Sequence, residues 1–157
     1  MLGLLEAHRV RRLIDVRTVP RSRHNPQFNA DPLAASLGAA GIAYLHVPAL
    51  GGLRHPRPDS VNGGWRNRSF RGYADHMQTT AFADALQQCI DLAARETLAL
   101  MCAEGVPWRC HRSLIADALL VRGIDVREIT SPTASRPHTL TPWARVSGTE
   151  ITYPPLL

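Results

Sequence analysis

At 157 residues and 45% hydrophobic content the chain has the length of one domain, 1–157, and enough apolar side chains for a core without disulfide or metal staples. Its longest apolar runs, such as Leu98 to Ala103, are too short to span a bilayer, and Met1 to Arg12 lacks a signal peptide's regions and cleavage site, so a cytoplasmic protein with no membrane partner is expected. The net charge of +5 rests on eighteen arginines with no lysine, and three cysteines, an odd and low number, argue for reduced thiols.

In chain order, Leu2 to Arg9 reads as a short helix and Leu13-Ile14-Asp15-Val16 as a strand. Asp31 as N-cap and Pro32 at the first helical position open the next helix, which Gly41 closes. Ala43 to Val47 follows as a strand halted by Pro48, and strand, helix and strand together have the length of a βαβ unit with parallel strands. From about 49 to 69 the chain is rich in Gly, Pro, Arg and Asn without periodicity, the signature of a long functional or disordered loop. Thr79 or Thr80 caps a helix with Phe82, Leu86, Ile90 and Ala93 on one face. Leu98 to Cys102, apolar throughout, is expected as a central strand covered on both sides. Leu114, Ile115, Ala118 and Leu119 form a helical stripe ending at Gly123, and Ile124 to Ile129 is expected as the last strand of the sheet. From about 130 a Pro-rich C-terminal extension, with a small hairpin within Ala144 to Tyr153, is expected to wrap the core. The fold class expected is α/β: a single three-layer domain with a mostly parallel sheet of about four strands flanked by helices.

Ligands of open parallel sheets sit beyond the carboxyl ends of the strands, where three clusters fall. The first is Asp15-Val16-Arg17 running into Pro20-Arg21-Ser22-Arg23. A solvated turn accounts for Arg21, but a carboxylate inside a short apolar strand needs a partner, for which Arg17 and Arg112 are the candidates. The second runs from Cys102 to Ser113. It sets one thiol at a strand end and places Cys110, His111 and Arg112 near a helix N-terminus, where backbone N–H groups attract anions and ease thiol ionisation. Six residues separate Cys102 from Arg109, one more than in the cysteine-led loop of protein tyrosine phosphatases, so that motif is not matched. Cys102, Cys110 and His111 are zinc-competent, yet the seven residues between the cysteines differ from common zinc pairs, and a fourth ligand would have to be Glu104, Asp15, another histidine or water. A buried structural thiol accounts for Cys89 and is the alternative for Cys102. The third cluster is Leu50-Gly51-Gly52, Arg54, Trp65, Arg66, Arg68, Phe70, Arg71 and Tyr73. Arginines interleaved with aromatics suit single-stranded nucleic acid, or equally a solvated loop anchored by its rings.

Asp15-Val16-Arg17 with Pro20 to Arg23, then Phe28, Gly41 to Tyr44, Leu50-Gly51-Gly52, Tyr73 to Met77, and Leu100 to Glu104 with Cys110-His111-Arg112, together resemble domain-of-unknown-function family 488. The likeness runs from about Leu13 to Tyr153, and the paired Asp-Val-Arg and Cys-His-Arg signatures carry it. It implies a compact α/β domain of bacterial and archaeal type with no biochemical activity assigned. Members begin with a strand bearing a Gly-His-Ser signature, whereas Met1 to Ala7 resembles the helix after it. The resemblance therefore implies either an upstream start or a member lacking that strand.

The expected function is recognition of a phosphate or other anion at the strand ends, acting on a nucleotide, nucleic acid or other phosphorylated small molecule through a reactive cysteine. Arg17, Arg23 and Arg112 hold the anion, with Cys110, Gly51, Gly52 and Tyr73 as further ligand-binding residues. Cys102 is nucleophile or redox thiol, Glu104 or His111 handles protons, and Asp15 orients an arginine. The alternatives are a non-catalytic nucleic-acid-binding module and a Cys/His metal-binding protein; the residues specify neither a cofactor nor an oligomeric state.

Overall fold

A computed structural model describes residues 1–102 and 110–155. Helix α1 (Leu2–Ala7) leads into β1 (Arg12–Asp15), where the two-residue side-chain period sends Leu13 and Ile14 to opposite faces. Leu13 joins an apolar cluster with Leu5, Val10, Leu33, Leu37 and Ile42, while Ile14 joins a larger one that includes Val16, Tyr73, Phe82, Leu86, Leu114 and Ile115. Next come a 3-10 turn at Pro26–Phe28, α2 (Ala30–Ala39), β2 (Ala43–His46), a second 3-10 turn at Pro48–Leu50, α3 (Arg68–His76), α4 (Thr80–Ala93), β3 (Leu98–Met101) and α5 (Arg112–Leu120). Strands β2 and β3 pair in parallel with the two edges of β1, placing Asp15 opposite both His46 and Met101. Tyr44, Ala99 and Met101 pack with α1 and α2 in the first cluster; Leu45, Leu98 and Leu100 pack with α3, α4 and α5 in the second. The architecture is α/β, a three-stranded parallel sheet with apolar packing on each face.

The central strand is β1, and β3 lies at the edge of the order β2-β1-β3, contrary to the expectation for Leu98 to Cys102. A continuous apolar run reports two covered faces and says nothing about pairing along the strand's edges. Nor is Ile124 to Ile129 the last strand of that sheet: β4 (Arg127–Ser131) folds against β5 (Ala134–Pro137) as a separate antiparallel hairpin, leaving three parallel strands among the described residues where about four were expected. Its charged and hydroxyl side chains suit a solvated ribbon, with Arg136 donating to Glu128 at 2.8 Å. Helix α2 begins at Ala30 with Asn29 in the cap position, so Asp31 stands in the first turn, where its carboxylate meets the positive end of the helix. Gly41 follows at φ 77°, in the left-handed region that suits it. Helix α3 takes up the end of the expected loop, capped by Asn67, whose side chain accepts from the N–H groups of Ser69 and Phe70 at 2.8 and 3.2 Å.

Buried carboxylates fasten the irregular segments. Asp75 on α3 accepts from the Arg57 N–H at 2.8 Å and from Ser60 Oγ and Asn62 Nδ2 at 2.7 Å each, so the Gly/Pro/Arg-rich loop is tied to the helix that follows it. The C-terminal segment ends in the hairpin β6 (Arg145–Ser147) and β7 (Glu150–Thr152), turned by Gly148 at φ 62°. Beyond it Tyr153 is fully buried and donates its hydroxyl to Asp117 of α5 at 2.8 Å. Asp117 also accepts from His138 Nε2 at 2.8 Å and from the Thr141 N–H at 3.1 Å, so its buried oxygens are satisfied. The hydrogen bond to Asp117 raises the pKa of His138 against the opposing effect of burial, with Glu128 adding to the rise. Among the described residues no helix is long and apolar enough to cross a membrane.

Candidate functional site

Three loops meet at the carboxyl end of the sheet. The carbonyl of Val16, just beyond β1, accepts from His111 Nε2 at 3.2 Å. Thr18 Oγ1 donates to the carbonyl of Gly52 at 2.7 Å. A Cβ on Gly51 would lie 2.8 Å from the backbone of Thr18, and one on Gly52 would lie 3.0 Å from His111 Nδ1. Gly51 is thus required by close approach to backbone, whereas a Cβ at Gly52 would press on the His111 ring. Arg54 braces the same loop by donating to the carbonyls of Gly51 and Pro48, each at 3.1 Å. Tyr73, buried behind it, donates its hydroxyl to the Leu50 carbonyl at 2.8 Å and sets its ring 4.8 Å from that of His111. Tyr73 therefore supports the loop and the histidine from the core side.

Cys102 follows β3 and Cys110 precedes α5; both are reduced, with their sulfur atoms 2.7 Å apart. The Arg112 N–H donates to Cys110 Sγ at 3.4 Å, and His111 Nδ1 stands 3.6 Å from the same sulfur. Because the Val16 carbonyl can only accept, Nε2 carries the ring hydrogen, and in the neutral ring Nδ1 presents its lone pair to the thiol. The hydrogen bond from Cys102 holds the Cys110 thiol well below the usual thiol range; His111 and the Arg112 amide reinforce it, and together they outweigh burial. Cys89 in α4 feels burial alone, which pushes its thiol up to about 11. The Cys110 thiol is thus held low by its neighbours, and the Cys89 thiol is held high by burial.

Asp15 and Arg17 are two residues apart on an extended chain and so share one side of it. Arg17 donates through Nε and Nη2 to the two carboxylate oxygens at 2.9 and 2.7 Å, and Tyr44 adds its hydroxyl at 2.6 Å. The guanidinium also reaches the Phe28 carbonyl at 2.7 Å and is only 7% exposed, so Arg17 is the partner that the buried carboxylate required. Burial pushes Asp15 up, but the hydrogen bonds from Arg17 and Tyr44 prevail and leave it below the usual carboxylate range. Burial, followed by the nearby Asp15, raises the Tyr44 phenol. His46 Nε2 donates to the Arg17 carbonyl at 2.6 Å, completing a fixed strand end from which the Val16 carbonyl reaches His111.

Arg23 is exposed on the loop between β1 and α2, and Arg112 is half-buried at the first position of α5. Glu104 lies outside the described residues. The aromatic rings of the arginine-rich segment turn inward: Trp65 packs against Phe70, Trp143 and Tyr153 at centroid distances of 5.1, 4.9 and 5.5 Å, leaving its ring committed to the core. Among the described residues no three His, Cys, Asp or Glu side chains form a group able to hold a metal. Two sulfurs on one tetrahedral zinc, with bonds of about 2.3 Å, stand roughly 3.8 Å apart, so the 2.7 Å pair would have to open. Sequence reasoning did not single out Thr18, which latches the first loop to the second, or the part of Tyr44 in holding Asp15. Tyr44 carried one signal, since a phenol in a short strand beside an acidic strand marks a buried polar pair.

These features define a parallel α/β protein with a cysteine–histidine centre where its strands end. The chain belongs to the family described as domain of unknown function DUF488, whose model matches residues 1–119. No curated protein and no solved structure matches it.

Proposed function

We propose that the chain is a thiol-dependent enzyme in which Cys110 is the nucleophile, acting on a small phosphorylated or otherwise anionic substrate. One observation carries the reading: Cys110 Sγ is surrounded by Cys102 Sγ at 2.7 Å, the Arg112 N–H at 3.4 Å and His111 Nδ1 at 3.6 Å. Each of these groups favours the thiolate. His111 Nδ1 accepts the thiol proton while the Val16 carbonyl holds the opposite edge of the ring, and Cys102 donates its S–H to the sulfur anion. The amino end of α5 and the guanidiniums of Arg112 and Arg23 supply the attraction for an anion. Arg17 acts at one remove: its salt bridge with Asp15 holds the strand end, and its role is positioning.

Alkylation by iodoacetamide, mapped peptide by peptide across pH with and without inorganic phosphate, nucleotides and short single-stranded DNA, tests the reading. Cys110 should react at pH values below those of an ordinary thiol and be slowed by phosphate or a nucleotide, and Arg112→Ala should remove the protection while the fold persists. An ordinary pH profile without protection contradicts the proposal. Protection by single-stranded DNA alone, weakening steeply with salt, favours a nucleic-acid-binding module instead.

A further inference from the structure

We propose that Cys102 and Cys110 form a dithiol–disulfide couple whose oxidising substrate is a hydroperoxide, an inference that rests on Cys110 being the nucleophile. The two reduced sulfurs stand 2.7 Å apart, brought together from the end of β3 and the start of α5. That is already inside the separation of two unbonded sulfurs, and a disulfide bond of about 2.0 Å lies a short movement away. A nucleophilic cysteine that works without a partner has no need of a second thiol at this distance.

The surroundings of Cys110 select the oxidant. Three directions around its sulfur are taken by Cys102, the Arg112 N–H and His111, and the residue is only 3% exposed. A disulfide substrate must bring two sulfurs into line with the attacking one, with bulk on both. A hydroperoxide presents a single terminal oxygen, which a nearly buried thiolate can reach.

The chemistry balances within the residues present. The Cys110 thiolate attacks the terminal oxygen of ROOH; an S–O bond forms, the O–O bond breaks, and the departing RO⁻ takes the proton held on His111 Nδ1. Cys110 is then a sulfenic acid. Cys102 sulfur attacks it, the S–S bond forms, the S–O bond breaks, and the departing hydroxide leaves as water with the Cys102 proton. Two thiols lose two electrons, and the hydroperoxide becomes an alcohol and water. An external low-molecular-weight dithiol attacks the less buried Cys102 sulfur, releasing the Cys110 thiolate, and its second thiol then displaces Cys102, so that the dithiol leaves as a cyclic disulfide and turnover is permitted.

The full chain, reduced and freed of reductant, is titrated with hydrogen peroxide and mapped without reduction. The expected result is one Cys102–Cys110 disulfide for each peroxide consumed, with Cys89 remaining a thiol, and catalytic peroxide loss once dithiothreitol is added. In Cys102→Ser a sulfenic acid at Cys110 should be trapped by dimedone, and in Cys110→Ser peroxide consumption should fall to the background of the two remaining thiols, Cys89 and Cys102. Wild-type protein that consumes peroxide no faster than Cys110→Ser, or that accumulates sulfinic acid at Cys110 without the disulfide, overturns the inference. The pH profile of Cys110 alkylation in the same preparations separates the two ideas. Acidic ionisation without peroxide chemistry rejects the couple and retains the nucleophile, whereas an ordinary profile rejects both.

Discussion

Replacing Arg17 with Met withdraws a guanidinium from Asp15, a carboxylate with no solvent exposure, while keeping much of the aliphatic volume. Asp15 keeps the Tyr44 hydroxyl at 2.6 Å and loses guanidinium hydrogen bonds at 2.9 and 2.7 Å. Removing one member of a buried ion pair costs about 3–5 kcal/mol, because the remaining charge stays buried. For a chain of this length each kcal/mol lowers Tm by roughly 2–4 °C, so the expected fall is roughly 6–20 °C. The pH dependence has a definite sign. The folded pKa of Asp15 is depressed, so in the wild type the pair contributes fully above the unfolded value of about 3.9, and this contribution disappears as pH falls through the folded value. In the variant burial acts with less opposition and raises the carboxyl, so the deficit relative to wild type shrinks as the solution is acidified. Urea unfolding followed by circular dichroism at several pH values measures both effects. The double variant Asp15→Leu/Arg17→Met, which removes both charges, should recover most of the loss. A single-variant cost below about 1 kcal/mol, the level of an exposed pair, would refute the reasoning.

The pKa of His138 is raised in the fold, so its contribution to stability is present below its unfolded value of about 6.5 and is lost as pH rises through the folded one. Urea midpoints of the wild type should therefore decline through neutral pH relative to those of His138→Gln, and parallel curves would contradict this. Tyr153→Phe leaves a buried oxygen of Asp117 without its 2.8 Å donor and should cost about 1–3 kcal/mol in the same assay. Gly51→Ala puts a methyl 2.8 Å from the backbone of Thr18, so a loss of about 1–3 kcal/mol is expected from thermal unfolding. In Gly52→Ala the nearest atoms to the new methyl belong to the ring of His111, from 3.0 Å, so the change should move the pH profile of Cys110 alkylation toward that of an ordinary thiol with little effect on unfolding.

Much of this arrangement was written locally in the chain. The alternation at Leu13 and Ile14 dictates a strand between two apolar layers, and a spacing of two places Asp15 and Arg17 on one side of it. The apolar stripe after Cys110 announces α5, and with it Cys110, His111 and Arg112 at its amino end. What was not legible depends on approach between distant segments. The apolar character of Leu98 to Met101 is the same for an edge strand as for a central one, and the polar run of β4 joins the sheet or leaves it according to a hairpin partner further on. The inward turn of Trp65 needed Trp143 and Tyr153, about eighty residues away, to be seen beside it. The further hydrogen bond from Arg17 to the Phe28 carbonyl, like the contact of the two thiols, follows from how loops close over the strand ends and leaves no trace in spacing.

The acidity of Cys110 is tested most directly by titrating thiolate ultraviolet absorbance with pH in wild-type protein, Cys110→Ser and Cys89→Ala. The wild type should show one thiolate forming well below the ordinary thiol range, absent in Cys110→Ser, and one forming only near pH 11, absent in Cys89→Ala. Thiols that all ionise at or above the ordinary value, unchanged by Cys110→Ser, would contradict the reactive-cysteine account.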